Sequence, residues 1–371
     1  MRSEEIPLPT LNPGAVHTLT VQRFGAPGAR PHIYIQASLH ADELPGMICA
    51  VALRRLLMEA EAKGEVLGEI VLVPVANPLG LGQTLFSHAI GRFSLADGSN
   101  FNRDFPQLTE GAAARLGGKL GADTQANAAA IRQALGEELE AWNAPTQAAA
   151  LKKELVRLAL GADIVLDLHC DAEAAIHLYT QSASAEFFAP LSAHLGSVAT
   201  LTAEVSGGDP FDEVFSRPWI ELARRLPDHP IPVGCHAATV ELRGQADIGE
   251  RTARADAAAL MSFLRHVGAV AGAPPAACSP PPPATPLEAS EPLIAPKAGI
   301  VLHRFEPGAV IRAGDIVMDI VDPLTGQEEP IRAQSSGVLF ARSAQRFAQP
   351  GARLGKIAGL SLKREGKLLG L

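Results

Sequence analysis

Cysteine is scarce. The 371 residues hold four, Cys49, Cys170, Cys235 and Cys278, with no Cys-x-x-Cys pair among them. Such wide, irregular spacing excludes a disulfide-built scaffold and a thiolate zinc finger. A basic excess is also missing. Lys and Arg number 32 against 40 Asp and Glu, a formal charge of −8. Phosphate binding needs a basic surface, so no nucleic-acid partner is expected. No apolar run reaches the about 18 residues of a membrane span, and the run at 70–76 is strand-sized and stopped by Asn77-Pro78. The opening MRSEEIPLPTLNPG is acidic and broken by proline, unlike a secretory signal. A soluble cytoplasmic protein with no membrane partner is expected. The Gly-x-Ser-x-Gly elbow, the Walker loop and the dinucleotide glycine fingerprint are absent too.

What is present suits two domains with a sizeable core, since 47% of residues are hydrophobic. Proline is unevenly placed, with eight between Pro274 and Pro292. Proline lacks a backbone donor and fixes φ, so this stretch reads as a semi-rigid extended linker. The division expected is 1–270, a linker at 271–291, and 292–371. In the first part β-branched runs at 33–35, 70–75, 163–169, 176–180, 201–205 and 236–242 alternate with helical stretches. The clearest helical stretches are 47–62, 125–160 and 256–267, and the Ala- and Gly-rich segment 111–150 also reads as helical. Apolar strands alternating with helices indicate an α/β fold with a largely parallel or mixed sheet flanked by helices.

The second part reads as all-β, with dense Gly and Pro. It carries a weak repeat, in which IAPKAGI at 294–300 is echoed by IRAQSSGV at 331–338. Two quasi-equal β halves resemble a biotinyl/lipoyl carrier barrel. Carriers present a lysine at the hairpin between the halves. Here that hairpin is Asp322-Pro323-Leu324-Thr325-Gly326-Gln327, without one. A structural or substrate-covering role is expected instead.

Four clauses carry chemistry. In Ser38-Leu39-His40-Ala41-Asp42-Glu43, a strand ends at His40 and Glu43 follows three residues on. Alone this also suits a polar turn. Asp167-Leu168-His169 ends a second strand, and ligands in open α/β sheets gather at the carboxyl ends of strands. His, Glu and His form a three-ligand set that leaves a fourth position open, the catalytic arrangement for zinc. Glu241, in ATVEL, puts a carboxylate near the end of an apolar strand. That is costly unless the group is paired or working; an exposed edge-strand Glu is the alternative. The last clause joins Asn77-Pro78, Arg92 and Asn102-Arg103-Asp104-Phe105. A loop-held Arg fork grips a carboxylate, and a second Arg can steady an oxyanion.

In this order the clauses resemble the zinc carboxypeptidase superfamily, and within it the succinylglutamate desuccinylase/aspartoacylase family. The resemblance implies a zinc-carboxypeptidase-like mixed sheet with a C-terminal β domain, and one zinc per chain on His40, Glu43 and His169. It implies Glu241 as general base and acid, Arg92 as oxyanion stabiliser, and Asn102 and Arg103 as the clamp for a substrate carboxylate. Asp167, two residues before His169 on the same strand face, is a candidate to orient a ligand imidazole. The implied substrate is a small anionic acylated amino acid, hydrolysed at its amide. The rival reading is a metallocarboxypeptidase on short peptides; a silent binding protein is the third. The family permits homo-oligomers. One departure stands out: the C-terminal part has no tyrosine to supply the family's substrate-side contact, since only Tyr34 and Tyr179 occur. Cys170 points away from His169 on this reading, His177, His236 and His303 are ordinary, and Arg217 is a weaker candidate anchor.

Overall fold

The computed structural model describes residues 1–9 and 13–359. Nine strands form the large sheet. They are β1 (Arg2–Pro7), β2 (Thr18–Phe24), β3 (His32–Ala37), β4 (Glu69–Val73), β5 (Ile164–Asp171), β6 (His177–Gln181), β7 (Ala199–Ala203), β8 (His236–Gly244) and β9 (Ala284–Pro286). Their spatial order is β1-β2-β4-β3-β5-β8-β6-β7-β9. β4, β3, β5 and β8 run parallel, whereas β6 is antiparallel to β8. The sheet is therefore mixed.

Side chains alternate across each central strand, and both faces are covered. Ile33, Ile35, Leu166, Leu168 and Val240 pack with Leu53, Phe188, Leu260 and Phe263 from the helices Leu44–Ala62, Ala185–Leu195 and Glu250–His266. Tyr34, Val71 and Val165 face the other way, against Ile131, Leu151, Phe211 and Phe215. The helical stretch expected over 125–160 is two helices, Thr124–Ala141 and Gln147–Ala159. Pro145 breaks the run, and the Thr146 side chain caps the second helix by accepting from the Ala149 amide.

The proline-rich stretch is more than a connector. Its residues Ala284–Pro286 pair with Thr200–Thr202 of β7 and make the outermost strand, where a proline costs no ladder bond that a neighbour needs. Beyond it, Glu291–Ile294, Arg353–Gly359, Gly337–Arg342 and Val310–Ile311 make one antiparallel sheet. Glu328–Arg332, Ile316–Val321, Gly299–His303 and Phe347–Ala348 make another. Both contribute to one apolar core around Val301, Ile311, Met318, Ile320, Leu339 and Ile357. The first of these sheets also takes in Glu173–Ala174, just past β5, so backbone hydrogen bonding runs between the two parts of the chain. Among the described residues no helix is long and apolar enough to cross a membrane.

Candidate active site

The carboxyl ends of β3, β5 and β8 lie side by side, and the polar residues gather there. After β3 the chain turns at Ser38, whose φ of 67° is unusual for a residue with a Cβ. That turn carries His40 and then Glu43, which precedes the helix Leu44–Ala62. Asn77 braces it. Its amide donates to the Leu39 carbonyl at 2.9 Å, while its Oδ1 accepts from the Gly80 amide at 2.7 Å. His169 belongs to β5 and sits opposite Glu241 of the parallel strand β8.

Three side chains converge. Glu43 Oε1 lies 2.8 Å from His40 Nδ1, and Glu43 Oε2 lies 2.8 Å from His169 Nδ1. One ligand atom from each of the three falls within 4.8 Å of the others, a group that could hold a metal ion. All three are buried, at 3%, 2% and 2% exposure for His40, Glu43 and His169. Their outer atoms are held from behind. Asp167 Oδ2 sits 2.9 Å from His169 Nε2, and Asn100 Oδ1 sits 2.9 Å from His40 Nε2. Each acceptor favours a proton on Nε2 and so turns the Nδ1 lone pair toward the centre. The Cys170 amide donates to Glu43 Oε2 at 3.0 Å. Burial alone would raise the Glu43 carboxyl, but the two imidazoles hold it well below its usual range. Burial lowers His40, whereas in His169 the carboxylates of Asp167 and Glu43 outweigh burial and raise it. Three buried N and O donors converging with their far sides tied down suit a divalent ion such as zinc.

Glu241 is partly exposed, yet its Oε2 is buried and has no hydrogen-bond partner among the described residues. Burial, then the Glu43 charge, pushes its carboxyl up to about 8, against the opposing pull of His169. Arg92 Nη1 is 3.2 Å from both Glu43 Oε1 and His40 Nδ1. Asn102 bridges inward: its Oδ1 accepts from the Phe211 amide at 2.9 Å, and its Nδ2 is 3.4 Å from His169 Nε2. Arg103 donates to the Asn102 carbonyl at 2.6 Å, and burial followed by Arg92 lowers its guanidinium.

All the sequence-predicted site residues except Asp167, which stands behind His169, line one cavity of about 530 Å³. Its far wall comes from the C-terminal sheet: Arg342, Ser343, Arg353 and Lys356. Lys356 donates to Asp171 Oδ2 at 2.6 Å, and that ion pair raises its ammonium despite burial. No ion pair holds Arg353 among the described residues. Tyr179 also lines the cavity, from β6 and not from the C-terminal part, so a phenol does reach the site by another route.

Arg217 does not reach this cavity; it pairs with Asp209 and Glu221 along its own helix and an adjoining loop. The sequence reading missed Asn100, and it missed Gln36, whose Nε2 donates to Asp167 Oδ1 at 2.9 Å. It also missed Tyr34 as a polar partner, since its hydroxyl donates to Gln36 Oε1 at 2.9 Å. A glutamine inside the apolar strand HIYIQA was a visible signal; an asparagine in a loop was not.

Residues 29–207 match the model of the succinylglutamate desuccinylase/aspartoacylase catalytic domain. Among solved structures, the chain is similar to a succinylglutamate desuccinylase/aspartoacylase family protein from Shewanella amazonensis SB2B. Identity is 29% and the TM-score 0.85, over 96% of this chain and 98% of that one. A second such protein, from Shewanella frigidimarina NCIMB 400, is 26% identical with a TM-score of 0.84, over 96% and 97%. The product-bound ectoine utilization protein EutE (DoeB) from Ruegeria pomeroyi shares the fold, at 17% identity and a TM-score of 0.68, over 97% and 95%. No curated protein matches the chain.

Proposed function

We propose that the chain, whose residues 29–207 match the succinylglutamate desuccinylase/aspartoacylase catalytic-domain model, is a member of that family and a zinc-dependent hydrolase cleaving the amide of a small N-acyl amino acid or related carboxylate. The observation that carries this reading is the meeting of His40, Glu43 and His169 with Glu241 and Arg92 in one cavity. One zinc per chain, on the three ligands, supplies a Lewis acid for the amide carbonyl and a more acidic water. Glu241 takes the proton of the attacking water and passes it to the leaving nitrogen. Its raised carboxyl suits the donating half of that exchange. Arg92 steadies the oxyanion.

Substrate charge is matched by Arg103, held with Asn102 beside the ligands, and by Arg353 across the cavity. A carboxylate answers each guanidinium in a fork geometry. An anionic acylated amino acid therefore fits a chain whose net charge is −8. We read the C-terminal β domain, whatever its kinship to carrier barrels, as the cover of this cavity, and the protein as a cytoplasmic enzyme.

The test is a screen of N-acyl amino acids and blocked dipeptides with zinc-loaded protein, run beside Glu241→Gln. We expect about one zinc per chain in both proteins, hydrolysis of acyl amino acids by the parent, and a loss of at least about 100-fold in kcat for E241Q. Hydrolysis of dipeptides alone would turn the reading to a carboxypeptidase. An active E241Q would remove Glu241 from the mechanism, and a parent without metal would leave a binding protein.

A further inference from the structure

The helix Gln147–Ala159 buries a charge that the proposed chemistry does not use. Lys152 is 4% exposed, and its Nζ meets no carboxylate within ion-pair distance among the described residues. It donates instead to two main-chain carbonyls, Asn100 O at 3.1 Å and Arg103 O at 2.7 Å, and lies 5.6 Å from the centre of the Phe105 ring. Taking an ammonium out of water to bind neutral carbonyls is costly, so those carbonyls must matter. They are the two ends of a four-residue turn. The Asn102 amide closes that turn on Asn100 Oδ1 at 2.9 Å, and the Arg103 amide closes it on Asn100 O at 3.3 Å. The same turn presents Asn100 to His40 Nε2 and Arg103 to the cavity.

We propose that Lys152 is a positioning residue that pins the 100–103 turn and through it fixes the His40 imidazole. This rests on the reading of His40, Glu43 and His169 as zinc ligands. Lys152 touches neither the ligands nor the cavity; it acts through Asn100. Apolar replacement leaves the helix intact but lets the turn drift, and the Asn100 acceptor leaves His40. The imidazole then loses its fixed tautomer and direction, and zinc is held less well.

The experiment measures zinc affinity by chelator competition for the full chain, for Lys152→Met, and for Lys153→Met as a control. Lys153 is the neighbour on the same helix, with its Nζ on the carbonyls of Glu140 and Trp142. K152M should weaken zinc binding about 10-fold, the scale of a lost outer partner, whereas K153M should match the parent. Asn100→Ala should weaken it similarly, and the double variant should lose less than the product of the two. K152M binding zinc at the parent affinity would overturn the proposal, even if its metal-free form unfolds more easily. Fully multiplicative effects with N100A would overturn it too. If K152M does not fold, Lys152→Gln is read in its place against the same thresholds. A parent that binds zinc but hydrolyses no acyl amino acid would fail the proposed function and leave the Lys152 measurement standing.

Discussion

At the scale of single residues, the buried hydrogen-bond chain behind His169 is the most consequential. It runs from the Tyr34 hydroxyl through Gln36 to Asp167 and ends on the imidazole. Tyr34, Gln36 and Asp167 are all 0% exposed, so a broken link cannot be made good by water. Asp167→Ala should lower zinc affinity about 10- to 100-fold. It should also cost about 1–3 kcal/mol of stability in the metal-free chain, because the Gln36 amide is left unpaired. Chelator competition and urea unfolding read the two effects separately, and an unchanged zinc affinity would deny Asp167 its orienting role. That His40, Glu43 and His169 would meet could be read from the sequence because their order along the chain is distinctive. Asn100 could not. It meets His40 across 60 residues of sequence, and an asparagine in a Gly- and Ser-rich loop has many ordinary reasons to be there.

At the scale of elements, the site depends on how closely the helix Leu44–Ala62 approaches β5. Gly46 makes that possible: a Cβ there would lie 2.8 Å from the Leu168 carbonyl oxygen and 3.2 Å from the Ala37 Cβ. Leu168 directly precedes His169, and Ala37 ends the strand that leads to His40, so the clash would push on the supports of both histidines. Gly46→Ala should destabilise the fold by about 1–3 kcal/mol, as overpacking does, seen as a lower Tm in a full-chain melt. A variant that melts with the parent would show that the helix can yield there at no cost. The central strands were legible because β-branched apolar runs bounded by turn residues leave little choice. The edge strand β9 was not: proline argues against a strand in general, and only the free edge of β7 makes one tolerable. The helix break near Pro145 was likewise hidden by a run of good helix formers on either side.

At the scale of the whole molecule, the two parts of the chain share a cavity and the bonds that close it. Arg342, whose side chain is 10% exposed, joins Glu173, the Phe305 carbonyl and Glu306. Lys356 crosses to Asp171. Arg342→Ala leaves Glu173 with Arg346 alone and takes the donor from the Phe305 carbonyl, and should cost about 1–2 kcal/mol. Limited proteolysis of the full chain should then cut faster within 271–283, and an unchanged digestion rate would mean the contact between the parts does not depend on this residue. None of this seam was readable beforehand, since its ion pairs join residues about 170 positions apart or more. The sequence signalled a β-rich unit after the prolines with a structural or substrate-covering role, but not the bonds that tie it down.

β5 carries His169 and, two residues later, Asp171; the chain then enters the C-terminal sheet at Glu173–Ala174, paired with Ala341 and Arg342. A single ribbon of backbone thus serves as floor on one side of the cavity and as part of the roof on the other. A roof tied in this way cannot swing clear on a hinge without breaking the ladder of Ala341 and Arg342 on Ala174 and Glu173, a few residues from His169. Such a roof predicts an entrance of nearly constant width, which would screen substrates by size as well as by charge.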